Sequence, residues 1–178
     1  MNACTTLLCL CLLAPLSAGA QAPAPAKPSL AQTSQATQKV AEAYFQAYIA
    51  RDWDRLEPLL AEAGRFEDPT ASSVFGGVGK QGKSAVMQGF REGYASINQM
   101  SFVPASKFFS GDHAVFVGEL DWQLQLPEAL QVRTRMPLVV RLRVRDGQVI
   151  EHIDVADYNP FVAALRAARA ASKAQAGG

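Results

Sequence analysis

A chain of 178 residues with a formal charge of +1 has room for one domain with a buried core, and its near-balance of acid and base provides no bulk field to draw it to nucleic acid or anionic lipid. Its three cysteines stand at positions 4, 9 and 11, so the rest of the chain has no disulfide, thiol nucleophile or thiolate metal site. His113 and His152 lie far apart without a His-x-x-x-His pair or an Asp cluster, so no metal and no cofactor is expected.

Met1-Asn2-Ala3-Cys4 leads into the apolar run Leu7-Leu8-Cys9-Leu10-Cys11-Leu12-Leu13, followed by Pro15 and Ser17-Ala18-Gly19-Ala20. The run is too short to span a bilayer, and Ala18-x-Ala20 suits signal peptidase. Residues 1–20 therefore read as a signal peptide cut before Gln21. Neither Cys9 nor Cys11 has the small preceding residue that lipidation wants. The expected location is periplasmic or secreted, with no membrane attachment after cleavage, and a cysteine-free exported domain fits a bacterial periplasm.

Residues 21–34 (QAPAPAKPSLAQTS) are rich in Ala and Pro and read as an extended leader. Over 35–51, Val40, Ala41, Tyr44, Phe45, Tyr48 and Ile49 recur at helical spacing. Asp52 caps a second helix over 53–63, ended by Gly64, with Leu56, Leu59, Leu60 and Ala63 inward. Pro58 removes one of its hydrogen bonds and separates its first turn.

Next stands Arg65-Phe66-Glu67-Asp68-Pro69-Thr70, where a helical layer hands over to a sheet. Pro69 pushes Asp68 into an extended conformation, which sets a carboxylate at the mouth of an expected pocket. Residues 72–82 (SSVFGGVGKQG) hold four glycines and read as a loop, without P-loop spacing. Gly82-Lys83-Ser84 opens a third helix to residue 96, with Val86, Phe90 and Tyr94 on one face.

From residue 99 the period drops to two. Segments 99–109, 113–126, 130–145 and 148–158 read as strands joined by hairpin turns at 110–112, 127–129 and 146–147, which makes an antiparallel meander. Asn159-Pro160 opens a last helix over 161–170, and 171–178 reads as a disordered tail. Phe116, Leu120, Trp122 and Leu124 share the parity that faces inward, as do Val132, Met136, Leu138, Val140 and Leu142. Glu119 and Asp121 oppose Arg133, Arg135, Arg141, Arg143 and Arg145 on the outer face, a row that reads as exposed and self-compensated. By the same parity Asp157 joins Val149, Ile153 and Val155 in pointing inward, whereas His152 and Asp154 join the arginines.

The segment VAEAYFQAYIARDWDRLEPLLAEAGRFEDP (40–69), the helix start at Gly82-Lys83-Ser84-Ala85-Val86 and VRDGQVIEHIDVADY (144–158) resemble the nuclear transport factor 2-like superfamily, and within it the SnoaL-like group. The resemblance covers about residues 35–160 and implies an α+β cone: three N-terminal helices packed on a strongly bent antiparallel sheet, with a short C-terminal helix and a domain over 35–170. Set beside ketosteroid isomerases, Asp68 matches the base and Tyr44 the oxyanion donor, while the position of that family's protonated Asp falls on Val139 or Val140. Set beside limonene epoxide hydrolase-like proteins, Asp157 and Asp121 match two acids, but Glu119 replaces the Arg between them.

These readings converge on an apolar small-molecule pocket with Asp68 as base, Tyr44 as donor and Asp157 as a second polar group. Its expected walls are Trp53, Phe90, Trp122, Val140, Leu142 and Val155. The expected activity is isomerase- or cyclase-like acid–base chemistry on a small apolar molecule. The rival is a non-catalytic periplasmic ligand-binding or accessory module, and in either case the partner expected for the chain is a second copy of itself.

Overall fold

The computed structural model describes residues 27–176 apart from Glu128; the expected signal peptide and residues 21–26 of the leader lie outside the described residues. Helix α1 (Leu30–Ala50) begins at a capping box in which the Ser29 hydroxyl accepts from the Gln32 N–H while the Gln32 side chain accepts from the Ser29 N–H. It therefore starts at Leu30 rather than at 35, taking in the end of the supposed leader. It stops at Arg51, whose φ of 56° breaks the helical run.

The second helix is the main departure from expectation. Asp52 does cap it, but α2 (Trp53–Leu56) lasts four residues, and one 3-10 turn (Glu57–Leu59) carries Pro58. Leu60–Asp68 is then a strand, β1, so Asp68 ends a strand rather than starting one. Pro58 blocks helix propagation, and pairing on both sides captures the segment. β1 runs antiparallel to β2 (Val78–Gln81) and parallel to β6 (Gln148–Ala156). Gly64 allows the irregularity between Leu60 and Arg65 in that second pairing, because a Cβ there would lie 2.7 Å from the Leu60 side chain and 2.8 Å from the Ala61 carbonyl oxygen. The expected glycine-rich loop is partly ordered as a short helix, α3 (Ser72–Phe75), and β2.

Helix α4 (Lys83–Gly93) precedes the meander of β3 (Ile97–Ser110), β4 (His113–Gln125), β5 (Gln131–Arg145) and β6, and α5 (Asn159–Ala176) closes the chain. This last helix continues through residues read as a tail. The six strands lie in the order β2-β1-β6-β5-β4-β3, in a curled, unclosed sheet. The architecture is the α+β cone that the resemblance implies. Its core lies between the concave face and the helices: Tyr44, Tyr48, Leu56, Phe90, Met136, Leu142 and Phe161 are fully buried, and Phe45 stacks on Phe116 with ring centres 4.1 Å apart. At Gly118 a Cβ would fall 2.2 Å from the Val103 carbonyl oxygen, so β3 can approach β4 this closely only over a glycine.

Alternation holds along β4 and β5, where the inward residues named above are buried. It fails along β6. Val144 pairs with Val149, but the next residue back, Arg143, pairs with Glu151. Ile150 is thus the extra residue of a bulge, and parity inverts beyond it. His152 and Asp154 turn inward and are buried, Val155 faces outward at 45% exposure, and Asp157 is exposed. The expectation that His152 and Asp154 join the arginine row is wrong for this reason, as is the inward placement of Asp157 and Val155.

The outer face is otherwise as read. Asp121 bonds Arg133 and Arg135, Asp112 bonds Arg143, and Glu151 meets Arg65 and Arg141. Arg133 first and Arg135 second hold the Asp121 carboxyl below its ordinary range.

Candidate functional site

A cavity of about 370 Å³ lies between the end of β1, α3, α4 and one end of the meander. Phe66, Phe75, Phe90, Ile97, Leu124 and Leu126 supply most of its apolar wall, and Asp68, Tyr94, Ser96, Trp122, Tyr158 and the exposed Lys80 its polar groups. A larger surface groove of about 830 Å³ runs between α1 and β3, but it is open, and its charged residues Glu42 and Lys107 pair with each other.

Asp68 sits in this cavity because β1 ends there and Pro69 forbids continuation. Its Oδ1 accepts from the Thr70 N–H at 3.0 Å, the Thr70 hydroxyl at 2.7 Å and the Ala71 N–H at 2.9 Å, and its Oδ2 accepts from the Tyr158 O–H at 2.6 Å. Thr70 Oγ1 in turn accepts from the Ala156 N–H at 2.9 Å. The turn thereby ties the end of β1 to the end of β6 and stands Tyr158 against the carboxylate. Burial, and then Asp68, pushes the Tyr158 phenol far above its ordinary value.

A second network reaches the cavity from behind. Tyr48 donates to Asp154 Oδ2 at 2.6 Å, and the Tyr48 and Tyr94 hydroxyls are in a short mutual hydrogen bond. His152 Nε2 lies 2.8 Å from Asp154 Oδ1, and Tyr44 Oη 3.2 Å from His152 Nδ1. With Asp154 ionised, one proton assignment satisfies every bond: His152 carries its proton on Nε2 and accepts from Tyr44, and Tyr94 donates to Tyr48. Burial, followed by the charge of Asp154, raises the phenols of Tyr44, Tyr48 and Tyr94. Two carboxylate-backed phenols, Tyr158 and Tyr94, therefore line one aromatic cavity.

Of the residues expected at the site, Asp68, Phe90 and Trp122 line the cavity. Tyr44 does not: it is fully buried behind it, against His152. Asp157 accepts from the Asn159 N–H at 3.0 Å and caps α5. Asp68, Tyr44 and Asp157 thus share no void. Trp53 stacks on Phe90 with ring centres 5.2 Å apart and is not part of the lining, Val140 and Leu142 are fully buried core, and Val155 is on the other face of the sheet. The sequence reading missed Tyr94 and Tyr158 as polar groups of the site and His152 and Asp154 as their support. One available signal was the tyrosine count, since all four tyrosines of the chain belong to these two networks.

Among the described residues no three His, Cys, Asp or Glu side chains gather as a metal site requires, and no helix is long and apolar enough to cross a membrane.

Residues 41–152 match the family model of the SnoaL-like domain. The chain belongs to this family. The SnoaL-like domain is also similar to solved structures: a protein from Shewanella denitrificans OS-217 described as a SnoaL-like polyketide cyclase, at 18% identity and TM-score 0.65 over 74% of this chain and 97% of that one; an NTF2-like protein from Burkholderia xenovorans LB400, at 16% and 0.60 over 74% and 97%; and a protein with a ketosteroid isomerase-like fold from Catenulispora acidiphila DSM 44928, at 16% and 0.59 over 71% and 91%. At these identities the likeness is one of fold. No curated protein sequence matches the chain.

Proposed function

We propose that this SnoaL-like domain binds a small, largely apolar, carbonyl-bearing molecule in the aromatic cavity and carries out isomerase- or cyclase-like acid–base chemistry on it. The observation that carries this reading is the pair of phenols backed by buried carboxylates, Tyr158 on Asp68 and Tyr94 through Tyr48 on Asp154. Asp68 can take a proton from the carbon next to a carbonyl, after which the Tyr158 O–H that it held is free to donate to the enolate oxygen, and apolar walls strengthen both interactions. Names of similar structures, such as polyketide cyclase, agree with such chemistry. The test is deuterium exchange at the carbon next to the carbonyl of 1-tetralone in D2O, followed by NMR. The expected result is acceleration by the protein and its loss, by about 100-fold or more, in Tyr158→Phe or Asp68→Asn.

One observation favours a binding module without chemistry: four donors already hydrogen-bond the Asp68 carboxylate, which fills its acceptor sites and stabilises the charged form that a base must give up. Binding of 1-tetralone without accelerated exchange would decide for that reading.

We further propose that the domain is exported after cleavage before Gln21, as the intact mass of the mature protein would test. A homodimer through the outer sheet face is supported by the exposed Val103, Phe108 and Val155. Sedimentation of the wild type against Val155→Glu checks it.

A further inference from the structure

Among the described residues that line the cavity, only Asp68 and Lys80 carry a full charge at neutral pH, and they differ in what they already hold. The Asp68 carboxylate is bonded by four donors. Lys80 meets no acid and no hydrogen-bond acceptor among the described residues, whereas the next lysine, Lys83, is held by Glu62. In the β1–β2 pair Lys80 stands opposite Phe66, and Asp68 opposite Val78. All of these line the cavity, so cation and carboxylate are diagonal neighbours on one face, about 7–8 Å apart. The Lys80 stem is seated on α4. A Cβ at Gly89 would fall 3.2 Å from Lys80 Cγ, 3.8 Å from Cδ and 3.4 Å from Cε. Glycine is a poor residue for a helix interior, and here it gives the lysine stem room to lie flat. Gly89 itself lines the cavity, as does Gly93 one turn on, where a Cβ would meet nothing. The exposed members of the lining, Phe75, Lys80 and Gly93, mark the mouth, and Phe66, Asp68, Phe90 and Trp122 lie buried within. The Lys80 ammonium, one bond beyond Cε, thus stands at the rim of an apolar cavity.

We infer that Lys80 is the anion-binding residue of this pocket and that the molecule it selects is an apolar oxo acid, its carboxylate at the rim and its carbonyl inside. This inference rests on the small-molecule reading above and adds to it a substrate class and the residue that selects it. A lysine ammonium recognises negative charge as a point cation, and a carboxylate left at the rim keeps part of its water, so its desolvation costs little. The offset of Lys80 from Asp68 along the strands separates the ligand's carboxylate from the like charge of Asp68. Ser96, whose hydroxyl also has no partner among the described residues, lines the wall as well, but a neutral hydroxyl serves an amide and a carboxylate alike. The charge of the ligand is read at Lys80.

Calorimetric titration with three probes on one ring system tests it. 1-Tetralone-6-carboxylate carries the charge, 1-tetralone-6-carboxamide keeps the size and loses the charge, and 6-(aminomethyl)-1-tetralone reverses it. The wild type is expected to hold the carboxylate about fivefold more tightly than the amide, the worth of one exposed ion pair, and the cation more weakly than either. High salt is expected to shrink that preference. Lys80→Gln is expected to hold carboxylate and amide equally, and Lys80→Arg to keep the preference. Equal affinity of the wild type for carboxylate and amide, tighter binding of the cation, or a carboxylate preference that survives in Lys80→Gln overturns the inference while leaving a small-molecule pocket standing. Failure of all three to bind the wild type overturns both. A preference that is lost in Lys80→Gln, without accelerated exchange next to the carbonyl, supports the inference and removes only the chemistry. Lys80 is exposed on an edge strand, and the comparison on the wild type needs no variant, so poor folding of a substituted protein does not block the test.

Discussion

Both faces of the sheet carry buried carboxylates, and they neutralise them in different ways. On the outer face Asp121 and Glu151 are covered by arginines whose side chains remain largely in water: Arg133 and Arg135 are 61% and 57% exposed, and Arg141 48%. On the inner face Asp68 and Asp154 have no cationic Lys or Arg partner among the described residues, only phenols, backbone N–H groups, a hydroxyl and His152. A long exposed arginine tolerates many geometries and is screened by salt. A phenol or an imidazole in the core has one geometry, and losing it strands a polar group out of reach of water. Rigid, fully assigned hydrogen bonds are therefore confined to the face that holds the cavity.

Alkali separates the two faces most sharply. All four tyrosines of the chain belong to the inner networks, and burial raises the phenols of Tyr44, Tyr48, Tyr94 and Tyr158. A folded value above the unfolded one means that their contribution is intact below about pH 10 and lost as pH rises above it. Phenolate absorbance near 295 nm is expected to appear together with loss of circular dichroism. A tyrosine that titrates near pH 10 in a still-folded protein would show that its network is open to solvent.

Next in size is Asp154→Ala, which leaves His152, at 0% exposure, and Tyr48 without their shared acceptor. A loss of about 3–5 kcal/mol in urea denaturation is expected. Asp68→Asn keeps the shape of the turn but replaces an oxygen that accepts from the Thr70 and Ala71 N–H groups, or the one that accepts from Tyr158, with an amide nitrogen. It is expected to cost about 1–3 kcal/mol. The smallest effect belongs to the outer face: Arg141→Ala is expected to change stability by less than about 1 kcal/mol, and by less still in high salt. A ranking in which Arg141 outweighs Asp154 would mean that the outer face, and not the cavity face, organises the sheet.

How much of this was legible in the sequence differed by element. The meander was, because Phe116 to Leu124 and Val132 to Leu142 alternate cleanly and their partners are set by short turns such as Asp146-Gly147, with φ of 51° and 76°. Asp68 and Trp122 were legible as candidates for the cavity, one from its proline and the other from its parity. Tyr44, by contrast, has the same helical phase whether it ends at a cavity or at the back of a buried histidine, and only the position of β6 decides between them. Asp157 was misplaced by counting in twos across a strand that contains one extra residue.

By itself, the sequence determined the order and type of most elements and the inward face of β4 and β5, since these follow from periodicity and turn chemistry carried within each segment; the SnoaL-like α+β cone was legible through family resemblance. Only the tertiary structure decided that Leu60–Asp68 is a strand, because a leucine- and alanine-rich segment with helical propensity becomes β when two neighbouring strands offer it hydrogen bonds. It also decided which side of β6 faces the core, through the bulge at Ile150. Register is a relation between two strands, and the period of one strand does not contain it.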